Sequence, residues 1–261
     1  MANRIDEKFA ELKAQNKKAL ITYIVAGDGG YELTEKAVLA MEQAGVDIIE
    51  IGVPFSDPIA EGGTIQMASQ RALQRGTTLK GVFEMVARLR EKTNMPLLLM
   101  LYANTIFRSP DFFDKCKEVG IDGVIVPDLP FEEHDEFKAS ADANGIYNIS
   151  LVTPVSHDRI KKIAKVAQGF LYCVSSVGVT GVRDKFSTDF DKFFGEIAES
   201  AKIPYCVGFG IRDGETAHKI SRHCNGVIVG SAIVNKVAEF GQDAVPEITK
   251  ICRELRAGLD S

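Results

Sequence analysis

A chain of 261 residues, 45% hydrophobic and 26% charged, is long enough to bury a sizeable core and has the make-up of an ordinary globular protein. Its net charge of −5, from 31 basic and 36 acidic residues, argues against a nucleic-acid binder, which usually carries a basic excess. No run is long and apolar enough to span a membrane, and Met1–Gln15 is charged and amphipathic rather than a secretory leader, so the expected compartment is the cytoplasm. The cysteines Cys116, Cys173, Cys206, Cys224 and Cys252 are scattered, with no CxxC pair. Cys173 and Cys206 lie in apolar runs and read as buried thiols.

The first pattern along the chain is helical, roughly Ile5–Ala14, placed to cap the bottom of whatever follows. Short apolar, β-branched runs then alternate with amphipathic stretches. The expected strands are Ala19–Val25, Asp47–Val53, Pro96–Tyr102, Gly123–Val126, Tyr147–Val152, Phe170–Ser175, Tyr205–Gly208 and Gly226–Val229. They are near-continuous apolar runs, as strands covered on both faces should be. The expected helices are Leu33–Ala44, Leu79–Glu91, Asp111–Val119, Phe131–Asn144, Asp158–Ala167, Asp189–Ala201, Glu215–Ser221 and Val245–Leu255. Asp28, in Gly-Asp-Gly-Gly after the first strand, reads as a turn residue. Repeated β-α units imply a parallel sheet, and eight of them in about 250 residues favour a closed barrel. The fold class is therefore α/β: a single (β/α)8 TIM barrel with an extra N-terminal helix, taken as one domain over residues 1–261.

In such a barrel, function gathers at the C-terminal ends of the strands. Position alone then picks out Glu50, Tyr102, Asp128, Ser175, Gly208 and Gly230. Glu50 ends an apolar run, and Glu61 follows in a loop of turn residues, Ile51–Gly63. Two carboxyls in unlike surroundings suit acid/base chemistry on a small molecule. The competing reading makes Glu50 a buried ion-pair partner and Glu61 a solvated loop charge. Gly208-Phe209-Gly210 and Gly230-Ser231 follow the last two strands, where barrels often bind phosphate through loop N–H groups and a short helix. They could also simply make tight turns. The spacing to Gly214 is wrong for a dinucleotide fingerprint. Ser175–Ser187 is long, polar and glycine-bearing, as a mobile lid or an ordinary surface loop would be. A lid would show preferential tryptic cleavage at Arg183 or Lys185, slowed by a substrate analogue. His134, His157, His218 and His223 fall in or beside helices, and no metal site is expected.

The stretches Ile51–Gly62, Leu98–Asn104, Ser175–Gly181, Gly208–Gly210 and Gly230–Val234, in this order, closely resemble those of the tryptophan synthase alpha subunit family. The resemblance runs from about Phe9 to the last helix. It implies retro-aldol cleavage of indole-3-glycerol phosphate to indole and D-glyceraldehyde 3-phosphate. Glu50 matches the catalytic glutamate, and Glu61 the second carboxylate, usually aspartate. Gly63 stands where proline is common, which would loosen the loop. Tyr23, Met100, Tyr102, Ile125, Tyr172 and Phe209 match substrate-pocket positions, although core packing accounts for each taken alone. Thr180 matches a residue that orients the second carboxylate. Gly181, Gly210, Gly230 and Ser231 match phosphate contacts.

The resemblance also implies a beta-subunit partner that holds pyridoxal phosphate, while this chain needs no cofactor. Indole would pass between the sites of an assembly of two alpha and two beta subunits. Pro54, Phe55, Asp57, Asn104, Asp128 and Pro130 match docking positions; Phe55 is either an exposed anchor or loop packing. Three other readings share some of these features. One is a stand-alone lyase releasing free indole, another a non-catalytic activator of the beta subunit. The third is a different sugar-phosphate barrel, weakened by the lack of a strand-end lysine for Schiff-base chemistry.

Overall fold

Among the described residues, nine strand segments form one sheet in which every neighbouring pair is parallel. They are β1 (Ala19–Val25), β2 (Ile48–Gly52), β3 (Leu97–Met100), β4 (Gly123–Ile125), β5 (Tyr147–Asn148), β6 (Leu151–Val152), β7 (Leu171–Val174), β8 (Tyr205–Gly208) and β9 (Gly226–Val229). The structure, a computed structural model, describes residues 3–156, 159–174, 190–208 and 210–261. In space the order is β5-β4-β3-β2-β1-β9-β8-β7-β6.

The outermost segments, β5 and β6, are two halves of one strand. Between them, the Ile149 N–H donates to Val124 O at 2.9 Å and Ser150 O accepts the Tyr172 N–H at 2.9 Å. One half pairs with β4 and the other with β7, so the sheet closes on itself into the expected eight-stranded barrel. Alternation along each strand sorts side chains to two sides. In β1, Leu20 and Ile24 join the core beneath the helices, while Ile21 and Tyr23 face the barrel interior.

The helices are α1 (Arg4–Ala14), α2 (Tyr31–Gln43), α3 (Gly63–Gln74), α4 (Leu79–Arg90), α5 (Ala103–Phe107), α6 (Phe112–Val119), α7 (Asp135–Asn144), α8 (Arg159–Val166), α9 (Phe190–Ser200), α10 (Gly214–Ser221), α11 (Ser231–Phe240) and α12 (Ala244–Leu259). Three of them, α3, α5 and α11, fall where no helix was expected from the pattern. Among the described residues, no helix is long and apolar enough to cross a membrane. The five cysteines are all buried and free.

The extra N-terminal helix plugs the barrel bottom. Ile5, Phe9 and Leu12 recur at helical spacing and are buried against Ile21, Ile48, Leu98, Ile125, Phe170 and Ile228. The Phe9 and Phe170 rings lie 5.7 Å apart. Asn3 fixes where the helix starts: its side chain accepts the Ile5 N–H at 2.9 Å and donates to Asp122 O at 2.8 Å. Asn3→Ala should lower the unfolding free energy by about 1–2 kcal/mol, seen as a lower urea midpoint at unchanged slope.

Asp28 does more than turn the chain. It is 3% exposed, and its two oxygens take the Arg71 guanidinium at 2.8 and 2.7 Å. This bidentate pair ties the loop after β1 to α3.

Candidate active site

Strand β2 sets the first element of the site. Its alternation sends Ile49 and Ile51 outward to the helices and Ile48 inward, so Glu50 also points into the barrel. Glu50 is fully buried, and neither carboxyl oxygen has a hydrogen-bond partner. Burial pushes its pKa up to about 8. That is no ion-pair geometry: the carboxyl is held protonated at neutral pH with its oxygens unspent.

Two tyrosines flank it. Tyr23 on β1 is the register partner of Glu50. Its hydroxyl lies over Gly52, where a Cβ would collide with it. A Cβ at Gly208 would come within 2.7 Å of the Tyr172 ring. These two strand-end glycines thus make room for two phenol rings at the barrel mouth. Burial pushes both phenols well above their usual range, the charges of Glu61 and Glu50 adding for Tyr23 and that of Glu50 for Tyr172. Both remain neutral hydrogen-bond donors at physiological pH. Met100 packs beside Tyr23, and Ile125, level with Met100 by register, is fully buried.

Glu61 comes from the loop between β2 and α3 and is 7% exposed. Burial raises its pKa, and the Tyr102 hydroxyl, which donates to its Oε2, lowers it. The same hydroxyl accepts the N–H groups of Ile59 at 2.8 Å and Ala60 at 2.9 Å. Gly63, expected to loosen this loop, is the first residue of α3, and its Cβ position is open space.

On the other flank of β1 from β2, the mouth is suited to an anion. Gly230 caps α11, and its carbonyl accepts the Ile233 and Val234 N–H groups at 2.9 and 3.1 Å. The N–H groups of Ser231 and Ala232 precede the first intrahelical bond and, with the Ser231 hydroxyl, sit at the positive end of the helix dipole. Gly210 has φ +64°, a conformation that favours glycine. Strands β8 and β9 are neighbours, which brings the Gly208 and Gly230 loops side by side. Thr180, Gly181 and Phe209, with the Ser175–Ser187 stretch, lie outside the described residues, as does His157.

Pro54 is buried, and Phe55 is half-buried with its ring stacked on Tyr102 at 4.8 Å and 22°. Phe55 therefore packs the loop instead of standing exposed. Exposed apolar side chains near these positions are Ile59 on the loop after β2, 74% accessible, and Phe107 at the end of α5, 58% accessible; the sequence reading missed both. Asp57, Asn104 and Pro130 are exposed. Asp128 accepts the Ala103 N–H at 2.9 Å, capping α5. A separate cleft of about 1230 Å3 lies at the N-terminal end of the barrel, lined by the charged groups of Arg4, Glu7, Asp47 and Asp122. It is remote from the strand ends that carry the two carboxyls. Among the described residues, no group of His, Cys, Asp and Glu is arranged to hold a metal ion.

The comparisons with known proteins agree with one another. Residues 9–258 match the family described as tryptophan synthase alpha chain. The tryptophan synthase alpha chain of Alkaliphilus metalliredigens is 44% identical over 98% of this chain and 97% of its own length. Among solved structures, the alpha subunit of Legionella pneumophila superposes with a TM-score of 0.91 at 34% identity, covering 100% of this chain and 99% of that one. A chain of the Pyrococcus furiosus tryptophan synthase complex does so with 0.86 at 35% identity, covering 92% and 99%.

Proposed function

Because this chain belongs to the tryptophan synthase alpha chain family, we infer that it cleaves indole-3-glycerol phosphate to indole and D-glyceraldehyde 3-phosphate. It works with a beta subunit, which holds the pyridoxal phosphate and joins indole to serine; the alpha chain itself needs no cofactor. The assembly is a heterotetramer of two alpha and two beta subunits, as in the Pyrococcus furiosus complex. The reading takes residues 1–261 as one barrel domain and places the protein in the cytoplasm.

The observation that carries the mechanism is the buried, partnerless carboxyl of Glu50, with its pKa pushed up to about 8. Protonated at neutral pH, Glu50 gives its proton to C3 of the indole ring. Positive charge then develops on the ring nitrogen, and ionised Glu61 offsets it by accepting the N–H. The bond from C3 to the glycerol carbon breaks, and its electron pair returns to the ring. The hydroxyl on the departing carbon gives its proton to the Glu50 carboxylate and becomes the aldehyde. One carboxyl thus acts as acid and then as base, ending as it began.

Tyr23, Met100, Tyr102, Ile125 and Tyr172 wall the indole pocket, Phe209 matches a further pocket position of the family, and the Tyr172 hydroxyl is free to donate to the substrate. The phosphate rests on the Gly210 and Gly230–Ser231 N–H groups; Gly181 matches a further phosphate contact of the family, and Thr180 the residue that orients the second carboxylate, here Glu61. The beta subunit docks over Pro54, Phe55, Asp57, Asn104, Asp128 and Pro130, with Ile59 and Phe107 as apolar anchors.

Indole formation from indole-3-glycerol phosphate, measured for the chain alone and with a beta subunit plus serine, tests this. Slow release alone that rises strongly with the partner is the expected result. Fast release indifferent to the partner identifies a stand-alone lyase, and no indole in either condition removes the assignment.

A further inference from the structure

Tyr102 lies at the end of β3, yet its hydroxyl is spent on the loop that carries Glu61. It accepts the Ile59 and Ala60 N–H groups at 2.8 and 2.9 Å and donates its own proton to Glu61 Oε2. A phenol oxygen has one proton to give and two lone pairs, so nothing is left for a substrate. The ring is fixed from the other side by the Phe55 stack, and Phe55 belongs to the same loop. Both ends of the segment from Phe55 to Glu61 therefore bear on one side chain, which is itself 3% exposed.

We propose that Tyr102 is a positioning residue for the lyase reaction: its hydroxyl tethers the loop and draws the Glu61 carboxyl back to the place its extra methylene would otherwise overshoot. The proposal rests on the lyase reading above. The chemistry is consistent with the surroundings. Glu61 faces the Tyr102 phenol and, more distantly, the carboxylate of Asp128 and the neutral phenol of Tyr23. Burial and, more weakly, Asp128 favour its protonated form; the Tyr102 bond opposes them most, with the backbone N–H groups of Glu61 and Ala60 adding to it. An ionised Glu61 is the form that can accept an indole N–H, so the tether would hold the charge as well as the position.

The test is Tyr102→Phe, which keeps the ring against Phe55 and deletes only the hydroxyl, assayed in complex with a beta subunit. Turnover should fall about 10-fold, equivalent to about 1.4 kcal/mol of activation free energy, with KM for indole-3-glycerol phosphate changed less than about 3-fold. The acid limb of the kcat profile should move to higher pH, because the bond that lowers the Glu61 pKa is gone. In a Glu61→Asp chain the shorter carboxyl no longer needs the tether, and the same substitution should cost less than about 3-fold. Amide exchange at Ile59 and Ala60 should speed up by about 10-fold or more once their acceptor is lost.

A rise in KM with kcat and acid limb unchanged makes the Tyr102 hydroxyl a substrate contact and not a tether, and overturns the proposal. So does an equal loss in the Glu61 and Asp backgrounds, or unchanged exchange at the two amides. If the unsubstituted complex forms no indole, it is the lyase reading that fails; the exchange measurement still tests the tether by itself.

Discussion

Glu50→Gln should lower indole formation by about 10²–10⁴-fold while making the folded chain more stable at pH 8. The two effects have one cause. In the folded state Glu50 keeps its proton up to about pH 8, whereas an unfolded glutamate loses it near 4.5. Below 4.5 both states bind the proton and the group is neutral in the balance. Between 4.5 and 8 the unfolded state releases a proton that the folded state retains, so stability falls as pH rises. Above 8 the full penalty applies, on the order of 5 kcal/mol for a shift of this size.

Glutamine is neutral throughout and nearly the same shape. Its amide pays the same kind of unpartnered burial as a protonated carboxyl but does not titrate. Urea unfolding from pH 5 to pH 9 should show the two chains close together at the acid end and diverging, with the variant ahead, toward pH 8. The lyase rate of the unsubstituted enzyme should decline above about pH 8, as the protonated form of Glu50 is lost. Parallel stability curves would mean that Glu50 is not desolvated in solution. A variant retaining more than about a tenth of the rate would mean that another group moves the protons.

Asp122→Ala should cost about 3–5 kcal/mol of stability, a large part of the 5–15 kcal/mol typical of a folded domain. Asp122 is 3% exposed at the barrel bottom. One oxygen holds Arg4 at 2.8 Å, and the other holds Arg90 at 3.1 Å and the Leu97 N–H at 2.9 Å. Burial lowers the Arg90 pKa and Asp122 counters it, so removing the carboxylate strands a partly buried cation and a buried amide together. Arg90 would keep only its carbonyl contacts to Thr93, Met95 and Gly120. Asp122→Asn, which still offers an oxygen to Leu97, should recover part of the loss. A melt and a urea titration measure this directly, and kcat per folded molecule should not change, since Asp122 lies at the other end of the barrel from Glu50.

The strands were legible because both faces are covered. Ala19–Val25 is buried at every position, so its whole length had to be apolar. Helix α3 was not legible: its buried positions are Ile65 and the small Ala68, Ser69 and Ala72, while Met67, on the other side, is 62% exposed. Such a stripe is weaker than the Val82, Val86 and Leu89 of α4. In α11 the buried Ile233, Val234 and Val237 are all β-branched, a composition that favours strands as much as helices.

Glu50 could be read from sequence because a carboxylate inside an apolar run has few explanations. The role of Tyr102 could not, since it depends on side-chain contacts across about 41–43 residues of chain. The same is true of Phe55: the sequence left an exposed anchor and loop packing both open, and only the stack on Tyr102 shows where its face is spent.

The plug at the barrel bottom bears on how the protein is made. The seat of α1 is built from Ile48, Leu98 and Ile125 on one side and from Phe170, Cys206 and Ile228 on the other. Helix α1 leaves the ribosome before any of them, yet a nascent chain that has reached only β5 can offer it half of its socket. Elements that emerge early usually begin to fold early; here α1 must keep the apolar faces of Ile5, Phe9 and Leu12 uncommitted until β9 has been synthesised. Helix α1, translated before every strand it packs on, is thus among the last elements to reach its final place, and the interval before it does is when the nascent chain most needs protection from aggregation.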